Sequence, residues 1–301
     1  ATTLQAHEWL SESDVLLALG SSLTRSPYGQ RVQPGKVVIH NTNNPDDLNK
    51  DEAADIGLIG DTRLTIEALI ARIKSKTNGG GIGDRRQVEG AVAAAKAKWM
   101  AEWAPALTSD EEPISYYRVI QALNDTLDPE NSIVTHDAGA PRDTIVPFYT
   151  ATTPHSYIGW GKTTHLGFGI PLMIGAKMAA PEKFCLNLMG DGAFGMSGTD
   201  IETAVRSGAA ITTVLLNNSA MATYSGPTQG TIGAEARELY GVSSMQGDYA
   251  KIAEGMGAVG LSVSKASELA PALREAQRLN AAGRTVLIDV RANVEDRRSK
   301  Y

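Results

Sequence analysis

The chain has 301 residues, 42% of them hydrophobic, and a formal net charge of -6 at pH 7. This length is enough for two domains with their own cores, and the acidic balance argues against a nucleic-acid or other polyanionic partner. No apolar run approaches the ~20 residues that a membrane-spanning helix needs. The single cysteine, Cys185, cannot form an internal disulfide, and its apolar surroundings predict a core residue rather than a nucleophile. We therefore expect a cytoplasmic protein without membrane contact.

Residues 1–76 have the pattern of a small α/β unit. The predicted elements are a helix at 4–10, strands at 15–19, 37–40 and 56–59, and a helix at 62–76. Three strands and two helices are few for a doubly wound domain. This segment therefore looks like part of a central domain whose remainder lies elsewhere.

Residues 77–112 are predicted to connect this unit to a second domain. The glycine-rich stretch 78–83 indicates a linker, and a mostly solvated helix at 85–103 follows it.

The second predicted domain, residues 113–301, alternates helices with strands. Its predicted helices lie at 115–127, from 167, between 188 and 211, at 248–256 and at 267–282, and its strands at 132–135, 184–188, 211–216, 259–263 and 285–290, with a loop from His136. Such alternation is typical of a parallel sheet covered by helices on both faces.

Two short motifs follow neighbouring strands of this second domain. The sequence Gly190-Asp191-Gly192 comes after one apolar strand, and Asn217-Asn218 ends the next. Both motifs should meet at the carboxyl edge of the sheet, where open α/β sheets bind ligands. A carboxylate and an amide oxygen suit magnesium better than zinc. Small residues at 192 and 193 leave backbone N–H groups accessible to a diphosphate, so the pattern predicts a metal-bridged diphosphate site.

The spacing of these motifs resembles the cofactor signature of thiamine diphosphate enzymes. The sequences Gly167-Phe168-Gly169-Ile170-Pro171 and Ala179-Ala180-Pro181 precede it, and they look like the acetolactate synthase, benzoylformate decarboxylase and 2-hydroxyacyl-CoA lyase branch of that family. The resemblance covers nearly the whole chain. It implies an α/β fold with a doubly wound parallel sheet that binds thiamine diphosphate and Mg2+, preceded by a partial Rossmann-like central domain.

The resemblance also implies roles for individual residues. Mg2+ would be held by the side chains of Asp191 and Asn218 and by the backbone carbonyl of Ala220. A large apolar residue, Leu166, would force the cofactor into a bent form, and the carbonyl of Thr164 would accept a hydrogen bond from its aminopyrimidine. The other residues expected to line the cofactor are Asp137, Gly139, Ala140, Gly190, Gly192, Ala193 and Met221.

The catalytic candidate is His165, which precedes the apolar residue. An imidazole titrates near neutral pH and could exchange a proton near the thiazolium, although the same side chain could simply pack away from the site. His136 and His155 are weaker candidates, because nothing in the sequence fixes their direction. Thr164 and Ala222 stand where the family often has glycine, which leaves the local backbone conformation open.

The family's amino-terminal domain, whose glutamate protonates the cofactor's pyrimidine ring, has no counterpart in this sequence. We therefore expect a second chain, or a missing segment, to supply that domain, and we expect hetero-oligomers built on a dimer of cofactor-binding units. The implied reaction makes or breaks a C–C bond next to the carbonyl of a 2-oxo acid, as in acetolactate synthase. A 2-hydroxyacyl-CoA lyase-type subunit that acts on acyl-CoA, or a non-catalytic regulatory relative, are the alternatives. The isolated chain should be inactive.

Overall fold

The structure is a computed structural model that describes residues 3–25, 31–80, 83, 85–159, 165–220, 239–241, 245–297 and 299. It divides into two compact units, Ala1–Glu102 with Ser299–Tyr301, and Trp103–Arg298. Among the helices in these described ranges, none combines the length and the apolar character needed to cross a bilayer.

The first unit contains a three-stranded parallel sheet with the order β1-β2-β3. Its elements are α1 (Leu4–Glu12), β1 (Val15–Leu19), β2 (Val37–Thr42), a 3-10 turn (Pro45–Asp47), β3 (Ile56–Ile59), α2 (Thr62–Lys76) and the start of α3 (Arg85–Leu107). The predicted strands and helices are all present. Asp61 caps α2, because its carboxylate accepts a hydrogen bond from the N–H of Leu64 at 3.0 Å.

This first unit buries little apolar surface. Its buried apolar side chains, among the described residues, are Ala18, Val38 and Trp99. The same unit carries twelve of the nineteen exposed large apolar side chains in the described part of the chain. A core of this size does not account for a stable domain, so the unit presents surface that is suited to further packing.

The second unit is built on a five-stranded parallel sheet with the order β4-β5-β6-β8-β7. Its elements are α4 (Tyr116–Thr126), β4 (Ser132–His136), α5 (Ala140–Ile145), α6 (Gly169–Ala179), β5 (Phe184–Gly190), α7 (Asp191–Ser197), α8 (Asp200–Arg206), β6 (Thr212–Asn217), α9 (Tyr249–Gly255), β7 (Val259–Val263), α10 (Ala266–Ala281) and β8 (Val286–Arg291). This architecture confirms the predicted α/β class with a parallel sheet.

Helices pack on both faces of this sheet. On one face, apolar side chains of α6, α7, α8 and α9 form a cluster with residues of β5, β6 and β8. On the other, α4 contacts α5 and α10. Cys185 on β5 belongs to the first cluster and is fully buried, which raises the pKa of its thiol to about 11. The prediction of an inert core cysteine is thus confirmed.

The carboxyl ends of three neighbouring strands meet at one edge of the sheet. β5 pairs with β6 so that Gly190 lies beside Leu216. On the other side of β5, the N–H of Asp137, just past β4, donates to the carbonyl of Leu188 at 2.7 Å. Every motif that follows β4, β5 or β6 therefore reaches the same edge.

The structure corrects two local predictions. Residues after His136 are not simply a loop, because the short helix α5 begins at Ala140, preceded by Gly139 in a left-handed conformation (φ 82°) and followed by a proline in its first turn. The single crossover helix between the two motifs is in fact two helices, α7 and α8. They break at Gly198, where a Cβ would lie 2.5 Å from the ring of Phe194.

Candidate functional site

The carboxylate of Asp191 lies at the junction of β5 and α7 and is 2% exposed. Strand passes directly into helix here, so this aspartate is the first residue of α7. One carboxylate oxygen accepts a hydrogen bond from the N–H of Gly192 at 2.8 Å. The other accepts from the N–H of Ser219, also at 2.8 Å. This second bond joins the two motifs directly, as their position at one sheet edge predicts.

Burial raises the pKa of Asp191 to about 6, and the negative charge of Asp289 contributes to the same shift. Within the described part of the chain, no lysine or arginine forms an ion pair with this carboxylate. A buried carboxylate without a counterion is costly. The site therefore carries a negative charge that a bound cation would neutralise.

Asn218 supplies the second predicted ligand. Its side-chain oxygen accepts a hydrogen bond from the N–H of Ala220 at 3.0 Å, while its buried side-chain nitrogen has no hydrogen-bond partner among the described residues. The N–H of Ala220 requires an acceptor, so the oxygen of Asn218 faces it and the nitrogen is the buried atom without a partner in the described part of the chain. Each oxygen of Asp191 also keeps a lone pair beyond its hydrogen bond.

These oxygen donors fit a Mg2+ ion that takes its remaining ligands from the oxygen atoms of a bound anion. The described residues contain no group of three or more histidine, cysteine, aspartate or glutamate side chains that could hold a metal. One carboxylate, one amide and one backbone carbonyl are hard oxygen donors, too few to complete an octahedral Mg2+ shell. The remaining positions would be filled by water and by an anionic ligand such as a diphosphate.

Several predicted residues lie at the same edge of the sheet as Asp191 and Asn218. Gly190 is the last residue of β5, Gly192 and Ala193 lie in the first turn of α7, and Gly139 and Ala140 form the start of α5. All five are on the carboxyl edge of the sheet. Ala193 is 2% exposed and belongs to the core cluster, so its backbone rather than its side chain is the part available to a ligand.

Asp137, which the resemblance predicts to line the cofactor, directs its side chain at neighbouring backbone. Its carboxylate is fully buried, and it accepts three backbone hydrogen bonds, from the N–H groups of Ala138 (2.8 Å), Gly167 (2.9 Å) and Gly169 (3.1 Å). Burial raises the pKa of Asp137, and these hydrogen bonds oppose that rise. The side chain is thus bonded to the turn that precedes α6.

That turn carries His165 and Leu166. Leu166 is partly buried and packs against the core cluster. His165 is exposed, and its ring stands edge-on to Phe168 with centroids 5.4 Å apart. His136 is buried against Tyr157, and burial lowers its pKa. His155 has a left-handed backbone (φ 64°).

The predicted residues Thr164 and Met221 lie outside the described residues. A cavity of about 530 Å³ lies next to the end of β6. Asn217, Asn218 and Ser219 form part of its lining. The cavity adjoins the predicted metal ligands on the side of β8.

Asp289 on β8 is a residue of this edge that the sequence analysis did not identify. It is 7% exposed. Its carboxylate accepts hydrogen bonds from the side-chain nitrogen of Asn217 at 2.9 Å and from the N–H of Tyr249 at 3.0 Å. The available signal was an aspartate in the otherwise apolar run 286–290, since charged residues are rarely buried without a specific partner.

A protein-family model described as "Thiamine pyrophosphate enzyme, C-terminal TPP binding domain" matches residues 137–290. The matched region begins at the aspartate after β4 and ends at β8, so it contains both motifs and all three carboxylates described above.

Individual relatives match a longer part of the chain. A Bacillus subtilis protein named for thiamine pyrophosphate, YdaP, is 29% identical over 91% of this chain and 45% of its own length. Sulfoacetaldehyde acetyltransferase of Rhodobacter capsulatus is 28% identical over 96% of this chain and 52% of its own. The large subunit of acetolactate synthase isozyme 3 of Escherichia coli is 26% identical over 96% and 49%. The chain thus spans about half the length of the curated relatives that it matches.

Proposed function

The chain belongs to the thiamine pyrophosphate enzyme family, and from that membership we propose that it is the cofactor-binding half of an enzyme that makes or breaks a C–C bond next to a carbonyl. The observation that carries this proposal is the hydrogen bond from the N–H of Ser219 to Asp191. That bond holds the aspartate of one motif against the asparagine loop of the other, which a shared metal ligand set requires.

Thiamine diphosphate and Mg2+ are the groups that this edge would hold. Asp191, Asn218 and the carbonyl of Ala220 would bind the metal, and backbone groups at Gly190, Gly192, Ala193, Gly139 and Ala140 would face the diphosphate. Because the metal is held together with the diphosphate, it anchors the cofactor and neutralises charge. When bound, thiamine diphosphate supplies a nucleophilic carbon and accepts electrons as the C–C bond breaks.

The protein's own contribution is to orient the ring and to exchange protons beside it. We propose that Leu166 contacts the central part of the cofactor and that His165 donates or accepts a proton at the substrate. The exposure of His165 and its edge-on contact with Phe168 support this role, because the ring is supported on one side and accessible on the other. Thr164 and Met221 remain proposed cofactor contacts on the resemblance alone.

A 2-oxo acid is the proposed substrate. Relatives of similar identity are named acetolactate synthase and sulfoacetaldehyde acetyltransferase, and neither name refers to an acyl-CoA. We therefore favour carboligation or decarboxylation of a 2-oxo acid over cleavage of an acyl-CoA.

The first unit supports the proposal that a further polypeptide segment completes the enzyme. In its parallel sheet, Val15 pairs with Val37, and Leu17 with Ile39, so these side chains lie on one face. Val15, Leu17 and Val37 are 47%, 47% and 45% exposed. Parallel sheets are normally covered on both faces. An apolar face left open is a surface for another packed layer.

We propose that the half of the relatives' fold that this chain does not span covers that face. Residues 1–76 would then be part of a central domain, 77–112 a linker and helix, and 113–301 the cofactor-binding domain. The missing half, on a second chain or on the same polypeptide, would bring the pyrimidine-binding domain, and the assembly would be a hetero-oligomer or an oligomer of the longer chain. With its one cysteine buried and unpaired, we place the protein in the reducing cytoplasm.

The partner proposal is tested by mild purification from the source and mass spectrometry of every chain in the complex. The expected result is a segment that aligns with the unmatched half of the relatives. If that segment is a separate chain, Leu17→Lys should release it; if it lies on the same polypeptide, Leu17→Lys should make it easier to cleave in limited proteolysis. Ile252→Lys, a change at a similarly exposed position on α9, should do neither. A stable complex that contains only copies of residues 1–301 would contradict the proposal.

The cofactor proposal is tested by calorimetric titration of the purified protein with thiamine diphosphate in the presence of Mg2+. Asp191→Ala should abolish binding while the circular dichroism spectrum stays that of a folded α/β protein. Asp128→Ala, at the opposite end of β4, is the control and should bind as the wild type does. Wild-type affinity in the Asp191 variant would count against the assignment.

A further inference from the structure

Asp137 and Asp289 have buried carboxylates at the carboxyl edge of the sheet. Both accept hydrogen bonds from backbone N–H groups, and Asp289 also accepts one from a side-chain amide. Asp137 follows β4, and Asp289 lies on β8, at opposite sides of the β5–β6 pair. Neither forms an ion pair among the residues that the structure describes. Burial raises the pKa of both groups. Burying a carboxylate is costly unless hydrogen bonds compensate it, and the hydrogen bonds of Asp137 and Asp289 show which segment each one stabilises.

Asp137 stabilises the turn that leads into α6. Its two oxygens accept the N–H groups of Gly167 and Gly169, which flank Phe168. The backbone of this turn requires glycine at both positions. Gly167 has a left-handed φ of 90°, and a Cβ on Gly169 would lie 2.2 Å from the side-chain oxygen of Asn187. By accepting both hydrogen bonds, the carboxylate of Asp137 thus fixes the backbone of the turn and with it the direction of the Leu166 side chain.

Asp289 stabilises the end of β6. Its carboxylate accepts the side-chain N–H of Asn217, the residue directly before Asn218. The backbone carbonyl of Asn217 also accepts a hydrogen bond from Ala292 at 3.0 Å. With both its side chain and its carbonyl bonded to β8 and the segment after it, Asn217 directs the chain so that the N–H of Ser219 meets Asp191.

We propose that Asp137 and Asp289 are positioning residues for separate halves of the site, Asp137 for the part that contacts the organic rings of the cofactor and Asp289 for the part that binds metal and diphosphate. This inference rests on the proposed function. It changes the expected role of Asp137, which acts on the cofactor through residues 165–169. It also assigns a role to Asn217, the first asparagine of the Asn217-Asn218 pair, because Asn217 links Asp289 to the proposed metal ligands.

The two roles separate when binding is measured with two probes, thiamine diphosphate and inorganic pyrophosphate, each with Mg2+. Pyrophosphate has no rings, so it reports only on the metal and diphosphate half. Asp137→Asn keeps the shape of the side chain but places an amide NH2 against a backbone N–H. It should weaken thiamine diphosphate binding by about 10-fold or more and leave pyrophosphate binding within about 2-fold of wild type.

Asp289→Asn should instead weaken both probes by roughly 10- to 100-fold, the range expected when a residue that orients a metal ligand is lost. Asn217→Ala removes the same hydrogen bond from the other side and should reproduce that result. The matched control is Asp128→Asn. This carboxylate accepts the N–H of Glu130 at 2.9 Å near the amino end of β4, and its loss should affect neither probe.

Hydrogen exchange supplies a readout that does not depend on any ligand. Asp137→Asn should speed exchange in residues 165–169 and leave 217–220 unchanged, and Asp289→Asn should do the reverse. If the wild type binds both probes, the inference is overturned when Asp137→Asn weakens pyrophosphate as much as thiamine diphosphate, when Asp289→Asn leaves pyrophosphate binding unchanged, or when exchange changes throughout the sheet; the proposed function then stands. If the wild type binds neither probe, the proposed function fails, and the inference fails with it.

Discussion

Asp191→Asn should remove a stability cost that the metal-free wild type carries at neutral and higher pH. Burial raises the pKa of Asp191 from 3.8 to about 6. Because the folded-state pKa exceeds the unfolded-state value, the folded chain binds this proton more tightly. The stability that the group contributes is complete below about pH 4 and is lost as the pH rises through 6.

The size of this effect follows from the shift. About 2.2 pKa units at ~1.4 kcal/mol each give roughly 3 kcal/mol in total, of which about 1.5 kcal/mol is lost between pH 5 and pH 8. Asparagine does not titrate over this range. Its amide would face the N–H of Gly192 or Ser219 at a cost of about 1–3 kcal/mol, but that cost is the same at both pH values. The change with pH therefore isolates the carboxylate.

The measurement is urea unfolding of the two proteins without Mg2+ at pH 5 and pH 8, followed by hydrogen exchange of β5 and β6. The free energy of unfolding of the variant, relative to wild type, should rise by about 1.5 kcal/mol from pH 5 to pH 8. Asp128→Asn is the control, because hydrogen bonds from Asn131 and Glu130 lower the pKa of Asp128, so this carboxylate stays ionised in the folded and unfolded chain from pH 5 to pH 8 and its effect should not change over that range. The reasoning would be refuted if the difference in free energy of unfolding between Asp191→Asn and wild type stayed constant, or if the wild type became more stable relative to Asp191→Asn as the pH rose. Adding Mg2+ and thiamine diphosphate should reverse the order, since only the wild type binds them tightly.

Three further outcomes are expected. Gly198→Ala should lower the free energy of unfolding by about 1–3 kcal/mol in a urea titration, because its Cβ would lie 2.5 Å from the ring of Phe194, whereas Gly195→Ala, with nothing within 4 Å, should not lower it. Gly260→Ala should be at least as damaging, because the obstacle 2.4 Å away is the backbone carbonyl of Ala250; an unchanged midpoint in either case would contradict the packing described. The purified chain, supplied with thiamine diphosphate and Mg2+ but without a pyrimidine-binding domain, should turn over no 2-oxo acid, and robust turnover would disprove the need for that domain.

Most helices and strands could be predicted from local residue patterns. The segments 15–19, 56–59 and 259–263 are strands with those bounds in the structure, because short runs rich in Val, Ile and Leu between turn residues favour an extended backbone. The positions of Asp191 and Asn218 at one edge also follow from sequence, since each ends a strand of a parallel sheet. Helix α5 was missed because six residues carry no helical period, and only the left-handed conformation at Gly139 shows where it begins.

The contacts of the carboxylates were decided by tertiary structure. Sequence places Asp137 after a strand, but its three backbone partners include two that lie 30 and 32 residues further along the chain. Asp289 is 72 residues from Asn217, and the two meet only because β8 inserts between β6 and β7. Strand order and side-chain direction depend on how the layers pack, and they leave no local pattern in the chain. The sequence by itself therefore determined which residue types reach the edge, and the fold determined which of these side chains contact one another there.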